Sequence, residues 1–175
     1  VEGALNELRQ AERRAATTHA GAITMAGLAV TRADVSAQLN LLAEADRLYA
    51  RAAQLYGDAN DETGELAARE GRGALLLLRQ DFDAALAEFQ AIMRAHLNRG
   101  DRRAAAATTL LIGYAQEQRG DFSGARRTLA RGIAAFHSSG DMVGEAMALA
   151  SLGDVEAASG QPATAERVFR DGLAR

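Results

Sequence analysis

The sequence predicts an all-α protein built as a solenoid of antiparallel helix pairs, and three observations predict it. Ala (41) and Leu (21) supply most of the hydrophobic residues of this 175-residue chain, whereas Val and Ile together number ten, a balance that favours helices over sheets. Several residue columns recur at a shift of forty: Gly73, Gly113 and Gly153; Ala45, Ala85, Ala125 and Ala165; Tyr49, Phe89, Leu129 and Phe169; Asp61, Asp101 and Asp141. A fixed period of that size marks stacked repeats. Turn signals only two or three residues long separate the helical runs, so consecutive helices must lie antiparallel and adjacent.

Nine helices are expected, over residues 2–17, 20–38, 41–56, 61–79, 81–98, 101–119, 121–138, 141–158 and 162–174. The first stands unpaired in 1–20, and repeats follow over 21–60, 61–100, 101–140 and 141–175, making one domain from 1 to 175. The second helix opens in the most apolar stretch, Ala20 to Val30. That is about half of the roughly 20 residues a membrane span needs, and no basic region precedes it, so it reads as a buried helix. Asp61, Asp101 and Asp141 stand where an N-cap is needed, the last two following Gly100 and Gly140 as helix-ending residues, and Asp81 and Asp121 do the same for second helices. Pro162, the only proline, sits at a first helical position, where its missing N–H costs nothing.

The Gly column falls inside helices, where each Gly costs about 1 kcal/mol relative to Ala. A cost repeated in register needs a compensating gain. Twelve residues on, Ala85, Ala125 and Ala165 offer a second small side chain, so paired helices are expected to cross closely there, with the aromatic or Leu column filling the space beside the crossing.

Composition excludes several chemistries. All 20 basic residues are Arg, so a lysine Schiff base, lysine general base or P-loop lysine is impossible. With no Cys there is no disulfide, thiol nucleophile or thiolate-ligated zinc. A net charge of -3 with dispersed Arg argues against nucleic acid as a direct partner. Arg126, Arg127 and Arg131 look like an exposed helix face. His19, His96 and His137 are far apart, the latter two in final helical turns where a cation suits the dipole. No HExxH or GxSxG occurs, and GRGALL at Gly71 to Leu76 lacks the third Gly of a dinucleotide loop. Asp58 to Thr63 begins like a calcium loop but has Thr63 where Gly is required and Arg69 where the bidentate acid belongs, so it reads as a turn between repeats. No catalytic residue, metal or cofactor is expected.

The pattern resembles the tetratricopeptide repeat (TPR) family, carried here by Ile112-Gly113, Gly120, Ala125 and Leu129, by Leu152-Gly153, Gly160, Ala165 and Phe169, and by Gly73, Ala85 and Phe89. It covers residues 61–175 well and 21–60 poorly, where Ala33 replaces the Gly. The family's Trp position holds Arg69, Thr109 and Leu149, its Tyr position Leu76, Gln116 and Glu156, and its terminal Pro is absent. A period of 40 rather than 34 lengthens each helix by about three residues, similar to the long-helix variety of kinesin light chains, polarity adaptors and bacterial ATPase-type transcription regulators. The resemblance implies a right-handed superhelix whose first helices line a concave binding face.

Carried over residue by residue, the resemblance puts Ala67, Glu70, Gly71, Ala74 and Leu77 on that face, then Ala107, Leu110, Leu111, Tyr114 and Glu117, then Met147, Ala150, Ser151, Asp154 and Ala157. Gly27, Val30, Thr31, Asp34 and Ala37 are the weaker first set. The face contains no Arg, which disfavours the clamp that family members use for a terminal carboxylate. Its apolar middle (Leu110, Leu111, Tyr114, Met147) flanked by Glu70, Glu117 and Asp154 should prefer a protein or peptide segment with apolar anchors, neutral to basic in charge. The competing reading is that the Leu and Met side chains simply pack between repeats, as apolar stripes at helical spacing commonly do. Tyr114 is the best contact candidate, because its ring can bury while its hydroxyl stays wet.

The leading function is therefore a non-catalytic, cytoplasmic scaffold module that binds a protein or peptide segment, without membrane association. The alternative is the sensory or oligomerisation region of a bacterial regulator, which an Arg-only, Ala-rich composition of high-GC character supports. Val1 in place of an initiator Met fits an excised or processed chain. The last helix lacks a polar cover, so Val168, Phe169 and Leu173 are expected to be partly exposed and to support a homodimer through the C-terminal end.

Overall fold

The computed structural model describes residues 2–17 and 21–174; Val1, His19 and Ala20, named above, lie outside the described residues. Nine α-helices and no strand occur among the described residues: α1 (Glu2–Thr17), α2 (Ala22–Gln38), α3 (Leu42–Asp58), α4 (Glu62–Leu78), α5 (Phe82–Asn98), α6 (Arg102–Gln118), α7 (Phe122–Ser139), α8 (Met142–Ala158) and α9 (Pro162–Leu173). From α2 to α6 each helix has 17 residues. A three-residue turn follows each, and helix, turn, helix, turn makes the forty-residue period.

The turns share one geometry. At Asn40, Asn60, Gln80, Gly100, Gly120, Gly140 and Gly160 the backbone takes a positive φ, the left-handed conformation of the residue just past a helix end. In each case the next N–H reaches back to a carbonyl five residues earlier, as in Leu41 N to Ser36 O at 2.8 Å and Asp121 N to Gln116 O at 2.8 Å. The following residue then starts the next helix. Asp61, Asp101, Asp121 and Asp141 each accept a hydrogen bond of 2.9 Å from a backbone N–H three residues on, as N-caps do. Residues 59–61 are such a turn, which accounts for the calcium-like stretch.

The chain divides into two compact units, Val1–Asp81 and Phe82–Arg175. In the first, α1 packs on α2, α2 on α3 and α3 on α4, with α2 also touching α4. Its core gathers Ala33, Ala45, Leu48, Tyr49 and Leu75 in one cluster and Ala29, Ala52 and Ala68 in another. Small side chains are placed where helices come closest. The Tyr49 ring fills the space beside Gly71, where a Cβ would lie 2.5 Å from it, and its hydroxyl donates to the Asp34 carboxylate. Burial, then that carboxylate, pushes the Tyr49 hydroxyl well above its ordinary range. Arg72 pairs with Asp46 at 2.8 Å, and Arg9 and Arg32 converge on Glu44.

In the second unit α5 to α9 pack in sequence, and α6 also meets α8. Ala125, Leu129 and Val155 form one buried cluster and Ala106, Phe136 and Ala148 another. The Gly column meets the large column directly. A Cβ on Gly113 would lie 2.7 Å from a Leu129 methyl, and one on Gly153 would lie 2.4 Å from the Phe169 ring. Gly113 and Gly153 thus each make a socket for the large residue sixteen positions on. A second socket of this kind, Phe136 against Gly144 at 2.3 Å, has a counterpart in the first unit in Tyr56 against Gly64 at 2.4 Å.

Two surface expectations also change. Arg126 is not part of a free basic face: its guanidinium makes two 2.9 Å hydrogen bonds to Glu156, which is itself buried. Val168 is buried and Phe169 is partly covered through its socket at Gly153, which leaves only Leu173 fully open.

Candidate functional site

In the second unit the first helices of the two pairs, α6 and α8, run side by side. Residues 107, 110, 111, 114 and 117 recur at helical spacing and share one side of α6, and 143, 147, 150, 151 and 154 do so on α8. Tyr114 is 49% exposed and Met147 55% exposed, a large uncovered apolar area for side chains of their size. Asp154 is exposed, and Leu111, Glu117 and Ser151 are partly buried. Leu110 behaves differently, because it packs against both buried clusters of the unit. It belongs to the core more than to the open face, as the competing sequence reading allows.

The acidic end of this face is a coupled pair. Burial, and after it the neighbouring Asp154 carboxylate, push the Glu117 carboxyl above the usual carboxylate range. Both effects disfavour its charge, and a cation placed between the two acids would relieve both. Tyr114 lies three residues before Glu117 and Met147 seven before Asp154, so an apolar patch stands about one to two turns from the acidic pair on the same side of each helix. Val143, 71% exposed, extends that patch one turn further. Its spacing of four before Met147 was a legible signal that the sequence reading passed over.

The corresponding positions of the first unit stand on α4: Glu70 and Leu77 are partly buried, and Ala67 and Ala74 are exposed. Tyr49 occupies the space beside Gly71 where a side chain would stand. On α2, Asp34 is engaged by Tyr49, and Thr31 donates to its own helix at the Gly27 carbonyl, 3.0 Å away.

Among the described residues His96 and His137 form no common site. The Nδ1 of His137 lies 3.1 Å from the Glu145 carboxylate, and His96 has a buried Nδ1 with no hydrogen-bond partner. No group of three His, Asp or Glu that could hold a metal ion occurs among the described residues. Nor is any helix among them long and apolar enough to cross a membrane.

No protein-family model matches the chain and no curated protein sequence does. Solved structures match it closely in shape. The apo form of RapI superposes with a TM-score of 0.82 at 17% identity, covering 97% of this chain and 47% of RapI. A Podosopora anserina protein described as a kinesin light chain with nearly identical TPR-like repeats gives 0.80 at 13% identity, covering 99% of this chain and 85% of that one. A Rap protein complexed with Competence and Sporulation Factor gives 0.77 at 15% identity, covering 98% and 48%. The chain therefore has the fold of the TPR-like repeat proteins, an all-α solenoid of helix pairs, and spans about half the length of the two Rap proteins.

Proposed function

We propose that this chain is a non-catalytic interaction module whose first-helix face binds a protein or peptide segment with apolar anchors and a neutral to basic charge. The observation that carries the reading is the second unit's combination of exposed Tyr114 and Met147 with the acidic pair Glu117 and Asp154. Apolar side chains of the ligand would cover Tyr114, Leu111, Met147 and Val143, while an Arg or Lys would enter between the carboxylates. Ser151 supplies a neutral hydrogen-bonding group among them. Glu70, Ala74 and Leu77 are proposed to present the equivalent face on α4. A Rap protein of the same fold is known in complex with Competence and Sporulation Factor, which supports binding as the fold's use here.

The test is a titration with a basic, leucine-anchored peptide. Tyr114→Ala combined with Leu111→Ala should abolish its binding while leaving the helical circular dichroism intact. Undiminished binding by that double variant would remove the assignment. A role as the sensory or oligomerisation region of a bacterial regulator involves the same binding act with another domain attached. Self-association through α9 now rests on Leu173 alone, 90% exposed. Leu173→Glu should then turn any dimer seen by light scattering into monomer.

A further inference from the structure

The side of α6 turned away from the proposed face carries a second, differently charged surface. Between α5 and α7, with α6 as its floor, lies an open groove of about 680 Å³. Its walls follow helical stripes: Gln90, Met93, Arg94 and Leu97 on α5, and Thr128, Arg131, Ala135 and Ser138 on α7. Ala105, Ala106, Thr109 and Ile112 make the floor. The lining is mainly apolar, and Leu97 is 53% exposed at the rim.

Charge distinguishes this groove from the rest of the surface. Arg94, Arg102 and Arg131 line it, and no acidic side chain does, although the chain as a whole carries a net charge of -3. Several other arginines pair with a carboxylate from another element, as in Arg72 with Asp46, Arg103 with Asp141, Arg119 with Asp83 and Arg126 with Glu156. The three at the groove have no carboxylate partner among the described residues. All three guanidiniums are exposed at the rim of the groove, where they favour an anionic partner over a cationic one and set a salt-sensitive charge preference.

We infer that this groove docks an amphipathic helix of a partner protein, its apolar stripe over the exposed Leu97 and Ala135 and the half-buried Met93, and its flanking Asp or Glu side chains on Arg94, Arg102 and Arg131. The floor positions used by α6 span 102 to 116, about 20 Å at 1.5 Å per residue, the length of a helix of about 14 residues. Contact positions at i, i+3, i+4 and i+7 on α5 are those that a helix seated in a groove meets. The groove is distinct from the α6 and α8 face and prefers the opposite charge, so this inference stands or falls independently of the function proposed above.

The test uses the full chain and two fluorescein-labelled 14-residue peptides, both with Leu at i, i+3, i+4 and i+7, one with Glu and one with Lys at the flanks. Fluorescence anisotropy should show the Glu peptide binding with an affinity that falls as salt rises. Arg94→Glu with Arg131→Glu should weaken that binding at least tenfold. Ala135→Trp, an exposed position whose new ring fills the trough, should weaken it similarly without touching a charge. Tyr114→Ala with Met147→Ala should leave it unchanged. The inference is overturned if the Glu peptide fails to bind, if the groove variants bind it undiminished, or if the Tyr114 and Met147 variant is the one that loses it. It is also overturned if light scattering shows that Ala135→Trp abolishes a homodimer, because the occupant is then a second copy.

Discussion

Gly113 and Leu129 allow the socket relation to be tested through a change of sign. Gly113→Ala removes an interior helical glycine, which by itself stabilises by about 1 kcal/mol. The new Cβ would lie 2.7 Å from one Leu129 methyl, 2.8 Å from its Cγ and 3.3 Å from the other methyl. Because Cγ is too close along with the methyls, rotating the end of the side chain cannot clear the contact. Leu129 is fully buried against Ala125 and Val155, with Leu110, Phe122 and Leu152 around it, so it has nowhere to go. Overpacking of this kind costs about 1–3 kcal/mol, and the net effect should be a loss of up to about 2 kcal/mol. Leu129→Ala alone should cost about 2–5 kcal/mol. In that background the clash is gone, so adding Gly113→Ala should restore about 1 kcal/mol of propensity and fill part of the cavity. The assay is urea denaturation of the four proteins followed by far-UV circular dichroism. Equal effects of Gly113→Ala in both backgrounds, within about 0.5 kcal/mol, would refute the socket and return the Gly column to backbone crossing alone.

Gln80 holds a positive φ of 59° at a position where the later turns use Gly, so Gln80→Gly should stabilise by about 1 kcal/mol, read as a raised denaturation midpoint. Arg126→Ala strips the partner from the buried Glu156 and should cost about 1–3 kcal/mol, short of a fully buried pair because Arg126 is 36% exposed. Arg126 holds the Glu156 carboxyl below its ordinary range, so this stabilisation is fully present above the unfolded carboxylate pKa and is lost as pH falls from there through the lower folded-state pKa. Wild type should therefore lose stability towards acid more steeply than Arg126→Ala. Glu117 has the opposite sign: its raised folded pKa favours the fold at low pH, and that advantage fades as pH rises above the unfolded value of about 4.3. A cationic ligand needs Glu117 charged, so the affinity of a basic peptide should rise with pH through this window. Glu117→Gln should flatten that rise, as measured by anisotropy across the same pH range.

The forty-residue period made the helices legible almost to the residue, because each boundary is fixed by a local device. The Asp caps, Pro162 and the Gly at 100, 120, 140 and 160 are all written in the sequence. Asn40, Asn60 and Gln80 do the same work without Gly, and the weak early repeats owe part of their obscurity to this. The partner of each interior Gly was harder to read. A column analysis sees Ala at twelve and Leu or Phe at sixteen equally well, and only the direction of the side chains decides which one fills the gap. On the proposed first-helix face, Tyr114, Met147 and Asp154 are exposed, whereas Leu110 packs against the buried clusters, the alternative that helical spacing alone could not separate from an open position. The arginine groove was invisible for a different reason. Arg94, Arg102 and Arg131 lie on three helices, and no spacing within one helix shows that they surround a single trough, nor that Arg126, five residues before Arg131, is already taken by Glu156.

The division of charge follows from how α6 is built. Small residues at 104 to 107 and Gly113 suit the packing of α5, α7 and α8 on it, which leaves one side open around Tyr114 and, on another, a groove between α5 and α7 whose floor is largely buried. Neither surface is charged by α6 alone. The first takes its acidity from Glu117 together with Asp154 on α8, and the second takes most of its basicity from Arg94 on α5 and Arg131 on α7. A partner reading either surface therefore senses the spacing between neighbouring helices as well as their side chains. A substitution that moves α6 against α7, such as Gly132→Ala, whose Cβ would lie 2.3 Å from the Thr109 hydroxyl, should accordingly weaken the Glu peptide at the groove more than the basic peptide on the α6 and α8 face. Equal weakening of both peptides would mean that the variant has only loosened the fold, and the claim that groove width sets affinity would fail.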